Sequence, residues 1–224
     1  HKAGREMFDA GRHIQKLNQL SLRGTGIFPS EGLRRVFGEI LSACLAMEAP
    51  QTIGFLGPEG TFSHIAAMRV YGRSVNYQPY ASIPDIFQAV EKDWVNFGIV
   101  PIENSTGGMV HTTLDELIHS PLLICAELHI AVHHNLICRG PLEGIEKVCT
   151  HPQILSQCRE WLRANLPNAI QMETSSSGEG IKLAKRNKTI AGIGPEYAAQ
   201  TQGMPILVRR IEDQKDNITR FLIL

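Results

Sequence analysis

Residues 122–138, LLICAELHIAVHHNLIC, form a largely apolar segment of 17 residues. A strand usually runs about 5–6 residues, so this segment is long for one strand. Within it Ile130, Val132, His134 and Leu136 repeat with the period of two that marks extended chain. The segment is therefore expected to cross from one lobe to another. Elsewhere from Thr52 onward, short apolar runs alternate with amphipathic stretches. TIGFLG, FGIVPI, EKVCTH, KTIAGIG, PILVRRI and TRFLIL read as strands. TFSHIAAMRVYG, SIPDIFQAVEK, TTLDELIHS, the stretch after Pro152 and PEYAAQTQG read as helices, and SSSGEGIKLAKR opens another. Such alternation means an α/β fold with a mostly parallel sheet. The long crossing, with late strands able to return, implies two lobes around a cleft. Lobe 1 is expected at about 52–128 plus 206–224, and lobe 2 at about 129–205.

The first 49 residues differ in texture. They read as two helices, the second with Ser30 as N-cap and a stripe of Leu33, Val36, Phe37, Ile40, Leu41, Cys44 and Leu45. Two helices cannot bury two apolar faces alone, so a third helix or a partner chain is expected, and at least a homodimer. EAPQT reads as the linker to the second region. Lys and Arg equal Asp and Glu at 22 each, so no overall field draws the chain to nucleic acid or to a membrane surface. Five cysteines without CxxC spacing point away from a disulfide framework or a zinc site and toward a reducing cytoplasm.

In an open α/β sheet, ligands sit beyond the strand C-termini, at helix N-termini. Four strand-to-helix junctions are polar. GPEGTFS offers Thr61 and Ser63 after its glycines, which suits a carboxylate or simply caps a helix. PIENSTGGMVHTTLD places Glu103, Asn104, Ser105 and Thr106 directly after a buried strand, richer than a cap requires, with Glu103 either structural or catalytic. CTHPQILSQC holds Thr150, His151 and Gln157; His151 is either a general base or a solvated neighbour of a cap. ETSSSGEG gathers Ser175 and Ser176 in a hydroxyl-lined anion nest or a capping loop. A dinucleotide fingerprint, a nucleophile elbow, HExxH and an acidic metal cluster are all missing from the sequence. The shared inventory of hydroxyl, amide and backbone N–H suits a small polyanion, without metal or cofactor.

GPEGTFSHIAA, VPIENSTGGMVHTTLD, THPQILSQC and DNITRF, in that order, resemble the motifs of prephenate dehydratases over about residues 52–224. REMFDAGRHIQKLNQL and GIFPSEGLRRVFGEILSACLAME look like the last two helices of an AroQ-type chorismate mutase domain. The whole is thus similar to part of the bifunctional chorismate mutase–prephenate dehydratases of phenylalanine biosynthesis, without the C-terminal ACT domain. The resemblance implies a type II periplasmic-binding-protein-like fold and decarboxylating dehydration of prephenate to phenylpyruvate without a cofactor. It assigns proton donation to Thr219, with Asn217 orienting it and Asn104 and Gln157 in the catalytic group. Thr61, Ser63, Glu103, Ser105, Thr150, His151, Ser175, Ser176, Asn217 and Arg220 are candidates for substrate binding, with Arg220 either touching substrate or holding its loop. Arg5, Glu6 and Glu48 match mutase-site positions, and mutase activity is expected only of a complete chain. Two departures stand out: Thr150 replaces the usual serine before His-Pro, and the segment after the serines is unusually polar. Arogenate dehydration and non-catalytic anion sensing are the rival readings.

Overall fold

The computed structural model describes residues 29–48 and 50–224, together with Gln15, Lys16 and Gln19. Arg5, Glu6 and nearly all of the first expected helix lie outside the described residues. The second helix, α1 (Ser30–Glu48), leads into β1 (Thr52–Leu56), α2 (Phe62–Tyr71), β2 (Asn76–Tyr80), α3 (Ile83–Glu91), β3 (Phe97–Asn104), β4 (Gly108–Met109), α4 (His111–His119) and β5 (Ala126–Ala131). The second lobe follows with β6 (Asn135–Ile137), β7 (Lys147–Thr150), α5 (Pro152–Gln157), α6 (Arg159–Asn165), β8 (Ile170–Glu173), α7 (Ser177–Arg186), β9 (Ile190–Gly194), α8 (Glu196–Thr201) and β10 (Ile206–Val208). The chain then returns to the first sheet as β11 (Ile218–Ile223).

Two sheets result, ordered β2-β1-β3-β11-β5, with β4 on β3, and β10-β6-β9-β7-β8. The long segment 122–138 divides between them: β5 belongs to the first sheet, β6 to the second, and Val132–His134 make the crossing. The boundaries fall slightly later than expected, because β5 runs to Ala131 and β10 pairs with β6 rather than returning. The sheets are also mixed rather than mostly parallel. In the first sheet, β1 pairs in parallel with β2 and β3, whereas β11 arrives from the other lobe and lies antiparallel to both β3 and β5.

Burial explains which strands the sequence announces. β3 is buried through most of its length, so it reads as a continuous apolar run. The sheet-edge strands β2 (NYQPY) and β8 (IQME) are largely exposed and polar, and periodicity misses both. Helices cover both faces of the first sheet. One core joins Ile53, Phe55, Ile99 and Phe221 to Ala66 and Val70 of α2. The other joins Val100, Ile102 and Leu222 to Ile86 and Phe87 of α3. The helix expected after Pro152 is two helices, broken at Cys158. The break lets the Asp213 carboxylate accept from the main-chain N–H of Glu160 and Trp161 at 3.0 and 3.1 Å, tying the returning segment to lobe 2.

Helix α1 meets α2 through small residues. Ser42 is buried and accepts from the Ser74 N–H at 3.0 Å. Most of its larger apolar side chains point elsewhere: Val36 and Ile40 stay about half exposed.

In lobe 2, Gly180 of α7 sets how closely that helix approaches β7. A Cβ there would lie 2.1 Å from the Cys149 carbonyl oxygen, a contact with backbone that cannot rotate away. In an open helix Gly→Ala would stabilise by about 1 kcal/mol. Gly180→Ala is expected to destabilise instead, by about 1–3 kcal/mol, read as a lower urea midpoint with an unchanged m-value.

Candidate functional site

β3 and β11 meet where the first sheet faces the second lobe. Thr219 pairs with Asn104 and Arg220 with Glu103, after which the register shifts so that Phe221 pairs with Pro101. The irregularity falls next to a proline, which has no N–H to offer a central strand. Thr219 also pairs with Ile130 of β5.

The Asn104 side chain is the hub. Its Oδ1 accepts from the backbone N–H of Thr106 at 3.1 Å and of Gly107 at 2.9 Å. Those two donors fix which end of the amide is oxygen. Its Nδ2 therefore faces the other way and donates to Asn217 Oδ1 and to Thr219 Oγ1, each at 2.8 Å. Both amide protons are used. Thr219 Oγ1 is an acceptor in this contact, and its own O–H has no acceptor among the described residues. Asn217 and Thr219 are nearly buried, at 2% and 9% exposure.

The chain continues into lobe 2. Thr106 Oγ1 lies 2.6 Å from Asn104 Oδ1, and Gln157 Nε2 donates to Thr106 Oγ1 at 3.3 Å. Gln157 Oε1 sits 2.7 Å from His134 Nε2. Asn104, Gln157, Asn217 and Thr219, far apart in sequence, are thus joined in one network that spans both lobes. Thr106 and His134 belong to it as well. Thr106 was visible as the fourth residue of the polar run Glu103–Thr106, whose first two residues the structure places within β3. His134 carried a signal in its period-two position among Ile130, Val132 and Leu136, the buried face of the crossing.

The polar atoms of the remaining candidates make hydrogen bonds within the protein around this network. Ser105 Oγ donates to the Asp216 carbonyl at 3.3 Å and accepts from the Ile218 N–H at 2.9 Å, anchoring the entry to β11. Arg220 bonds Glu127 of β5, with its Nε 2.8 Å from the carboxylate, and stands 3.9 Å from Glu103 of β3. It ties three adjacent strands, an arrangement that fits the reading in which it holds the backbone. Thr150 is fully buried and donates to the Ile193 carbonyl at 2.8 Å, joining β7 to β9. His151 caps α5, its Nδ1 accepting from the Gln153 N–H at 3.3 Å. Ser175 Oγ donates to Glu179 at 2.6 Å, and Ser176 Oγ accepts the Glu179 N–H at 3.2 Å. The Glu179 carboxyl is held below the usual carboxylate range by these bonds to Ser175.

Thr61 caps α2, donating to the Leu56 carbonyl at 3.0 Å and accepting from His64 N–H at 3.4 Å. Ser63 is buried in the first turn. The starts of α2 and α7 approach one another across the lobes: a Cβ on Gly178 would lie 3.9 Å from the Glu59 carbonyl oxygen. Glu48 ends α1. Among the described residues, no group of His, Cys, Asp and Glu has the spacing of a metal site, and no helix is long and apolar enough to cross a membrane. A cavity of about 990 Å³ opens beside the network, lined by Phe62, Ile65, Ile130, Tyr197, Arg209 and Arg210 among others. Thr219 and Asn104 do not line it, although Ile130 is Thr219's register partner.

The fold is thus a two-lobed α/β chain with a hydroxyl–amide network joining its lobes. Comparison with known proteins then identifies the family. The prephenate dehydratase profile matches residues 53–224, and the chain belongs to that family. A bifunctional chorismate mutase/prephenate dehydratase of Stutzerimonas stutzeri is 40% identical over 215 residues, 95% of this chain and 57% of that protein. A prephenate dehydratase of Bacillus subtilis is 32% identical over 179 residues, 77% of this chain and 63% of that protein. Among solved structures, a prephenate dehydratase from Arthrobacter aurescens in complex with L-Phe superposes with a TM-score of 0.70 at 31% identity, covering 77% of this chain and 59% of that one. The chain spans a little over half the length of the curated relatives it matches most fully.

Two buried imidazoles make the fold acid-sensitive. Burial, the largest cause in each case, pushes the pKa of His134 and of His64 below the ordinary value. For His134, Gln157 and Glu212 act in the opposite direction and His133 adds to the lowering. The folded state thus binds fewer protons than the unfolded chain, so stability is complete above about pH 6.5 and is lost as pH falls toward the depressed folded values. Denaturant titrations between pH 7.5 and 5 are expected to show this fall, with a slope of at most about 1.4 kcal/mol per pH unit from His134. His134→Gln is expected to make the slope shallower.

Proposed function

We propose that this chain carries out the decarboxylating dehydration of prephenate to phenylpyruvate, with Thr219 as proton donor to the departing ring hydroxyl. One observation carries the reading: the Asn104 amide, its direction fixed by two backbone N–H groups, donates to Thr219 Oγ1 at 2.8 Å. Thr219's own O–H is thereby left to donate outward. In the reaction the ring carboxylate leaves as carbon dioxide, and its bonding electron pair moves into the ring. The ring C–O bond breaks, and the leaving oxygen takes one proton to depart as water. Aromatisation supplies the driving force. The protein's part is to hold a dianion and to supply a proton at one oxygen.

A threonine hydroxyl is a weak acid. As its O–H bond lengthens, negative charge grows on Oγ1, and the Asn104 N–H is already aimed at that atom. Such preorganised donors strengthen in the transition state, and general-acid assistance contributes about 10²–10⁴-fold. Gln157 steadies Asn104 through Thr106. In this reading, main-chain N–H groups at the starts of α2 and α7, beside Thr61, Ser63, Ser175 and Ser176, receive the carboxylates, since helix N-termini favour anions.

The reading extends to the N-terminal region. The bifunctional relative from Stutzerimonas matches 95% of the chain, whereas the prephenate dehydratase from Bacillus matches 77%. The additional match supports assigning α1 and the residues before it to the end of a chorismate mutase domain. Mutase activity would then require the complete chain, with Arg5, Glu6 and Glu48 in its site. The half-exposed Val36 and Ile40 of α1 support a homodimer or higher assembly through this helix, and a biosynthetic role supports a cytoplasmic location.

The test is prephenate turnover followed by phenylpyruvate absorbance. Wild type is expected to turn over. Thr219→Ala should lose about 10²–10⁴-fold in kcat, and Thr219→Ser should retain part of the rate. Near-normal turnover by Thr219→Ala would remove Thr219 from the role and make His151 or Glu103 the donor to examine.

A further inference from the structure

Hydrogen-bond direction in the network can be followed outward from its fixed end. Backbone donors hold Asn104 Oδ1 as an acceptor. At 2.6 Å from that oxygen, Thr106 Oγ1 must supply the proton between them, because two oxygens at that separation without one would repel. With its only proton committed, Thr106 Oγ1 is an acceptor toward Gln157, so the Gln157 NH₂ end faces it. The Gln157 oxygen then faces His134 Nε2 at 2.7 Å, and an oxygen acceptor requires a proton on that nitrogen.

The surroundings of His134 agree with this assignment. The side chain is buried, at 1% exposure, and its Nδ1 is enclosed without a hydrogen-bond partner in the structure. A proton on Nδ1 would be a buried N–H with no acceptor, which costs more than an idle lone pair. The residue is held firmly: its main-chain N–H donates to the buried Glu212 carboxylate at 2.9 Å, and its ring stands edge-on to Phe62 at 5.6 Å.

Building on the proposed dehydratase reading, we infer that His134 is a positioning residue whose Nε2–H holds the Gln157 amide in the one sense that the fixed Asn104 end of the chain requires. The order of donation runs from His134 to Gln157, then Thr106, Asn104 and finally Thr219. Every proton in it points toward Thr219 Oγ1, and the Thr219 O–H remains for the substrate. The opposite tautomer would turn the Gln157 amide, place its oxygen against Thr106 and pull the Thr106 proton away from Asn104. His134 touches no substrate in this scheme. It acts from the crossing between the lobes, through Gln157.

Two measurements on the 224-residue chain test this. The first is the ¹⁵N spectrum of labelled imidazoles, with His134 assigned by its loss in His134→Gln. A proton on Nε2 and a bare Nδ1 are expected at neutral pH; a proton on Nδ1 overturns the inference whatever the kinetics show. The second compares His134→Phe, which keeps a ring against Phe62 but has no donor, with His134→Gln, whose amide nitrogen reaches the position of Nε2. His134→Phe is expected to lower kcat roughly tenfold, the scale of one orienting hydrogen bond, with KM little changed. His134→Gln is expected to recover most of kcat. A purely structural role would lower the thermal midpoint of both variants and leave the kcat difference between them absent, which contradicts the inference. Wild-type kcat in His134→Phe contradicts it as well. Failure of the wild type itself to form phenylpyruvate would instead bring down the dehydratase reading, while the tautomer measurement would still decide the direction of the chain.

Discussion

Two backbone N–H groups, those of Thr106 and Gly107, hold the oxygen of one asparagine side chain, and the order of the site follows from that contact. An amide has two ends of opposite hydrogen-bonding sense. Pinning one end as acceptor commits the other as donor, and here the donor end has two partners on the return strand, Asn217 and Thr219. The result is a hydroxyl oxygen that already accepts and a hydroxyl proton that is free to be given.

The lobe architecture serves this contact. Thr219 comes from a strand that leaves the second lobe and re-enters the first between β3 and β5. It meets Asn104 only because β11 runs antiparallel to β3 with its N-terminal end at β3's C-terminal end. Arg220, bonded to Glu127 and close to Glu103, secures that insertion from the neighbouring position. Such partly exposed ion pairs contribute only about 0–1 kcal/mol, so their main effect is on register. Asp213 and Gln157 fasten the returning segment to α5 and α6: the Asp213 N–H donates to the Gln157 carbonyl at 2.8 Å. The residue that reaches Thr106 is therefore anchored to the same segment that delivers Thr219.

Much of this was legible in the sequence, for physical reasons that also explain what was not. Central strands such as β3 are buried and apolar, so they announce themselves; the edge strands β2 and β8 carry solvent-facing polar residues and do not. The 17-residue crossing segment gave away the two lobes because no single strand needs that length. Antiparallel insertion of β11 depends on where a distant strand returns, which no local pattern encodes. The polar cluster at the end of β3 was visible as more than a cap requires, and the fold brings Asn104 and Thr219 into one hydrogen bond. Thr150, His151, Ser175 and Ser176 have the right chemistry for anion binding, yet their polar atoms already serve β9, α5 and α7. A hydroxyl's composition is in the sequence; whether its proton is already committed is a property of the fold. His134 shows in the sequence only as one position on the buried period-two face of the crossing, and its contact with Gln157 is a property of the fold.

The most direct test of the account is prephenate turnover by Asn104→Asp. The substitution preserves shape and the acceptor oxygen but replaces the NH₂ group with a second oxygen, so nothing donates to Thr219 Oγ1. The account predicts a folded protein with kcat lowered about 10²–10³-fold, the usual loss of a preorganised donor. Turnover within a few-fold of wild type would show that the Asn104–Thr219 contact does not direct the chemistry, and the account would fail at its centre.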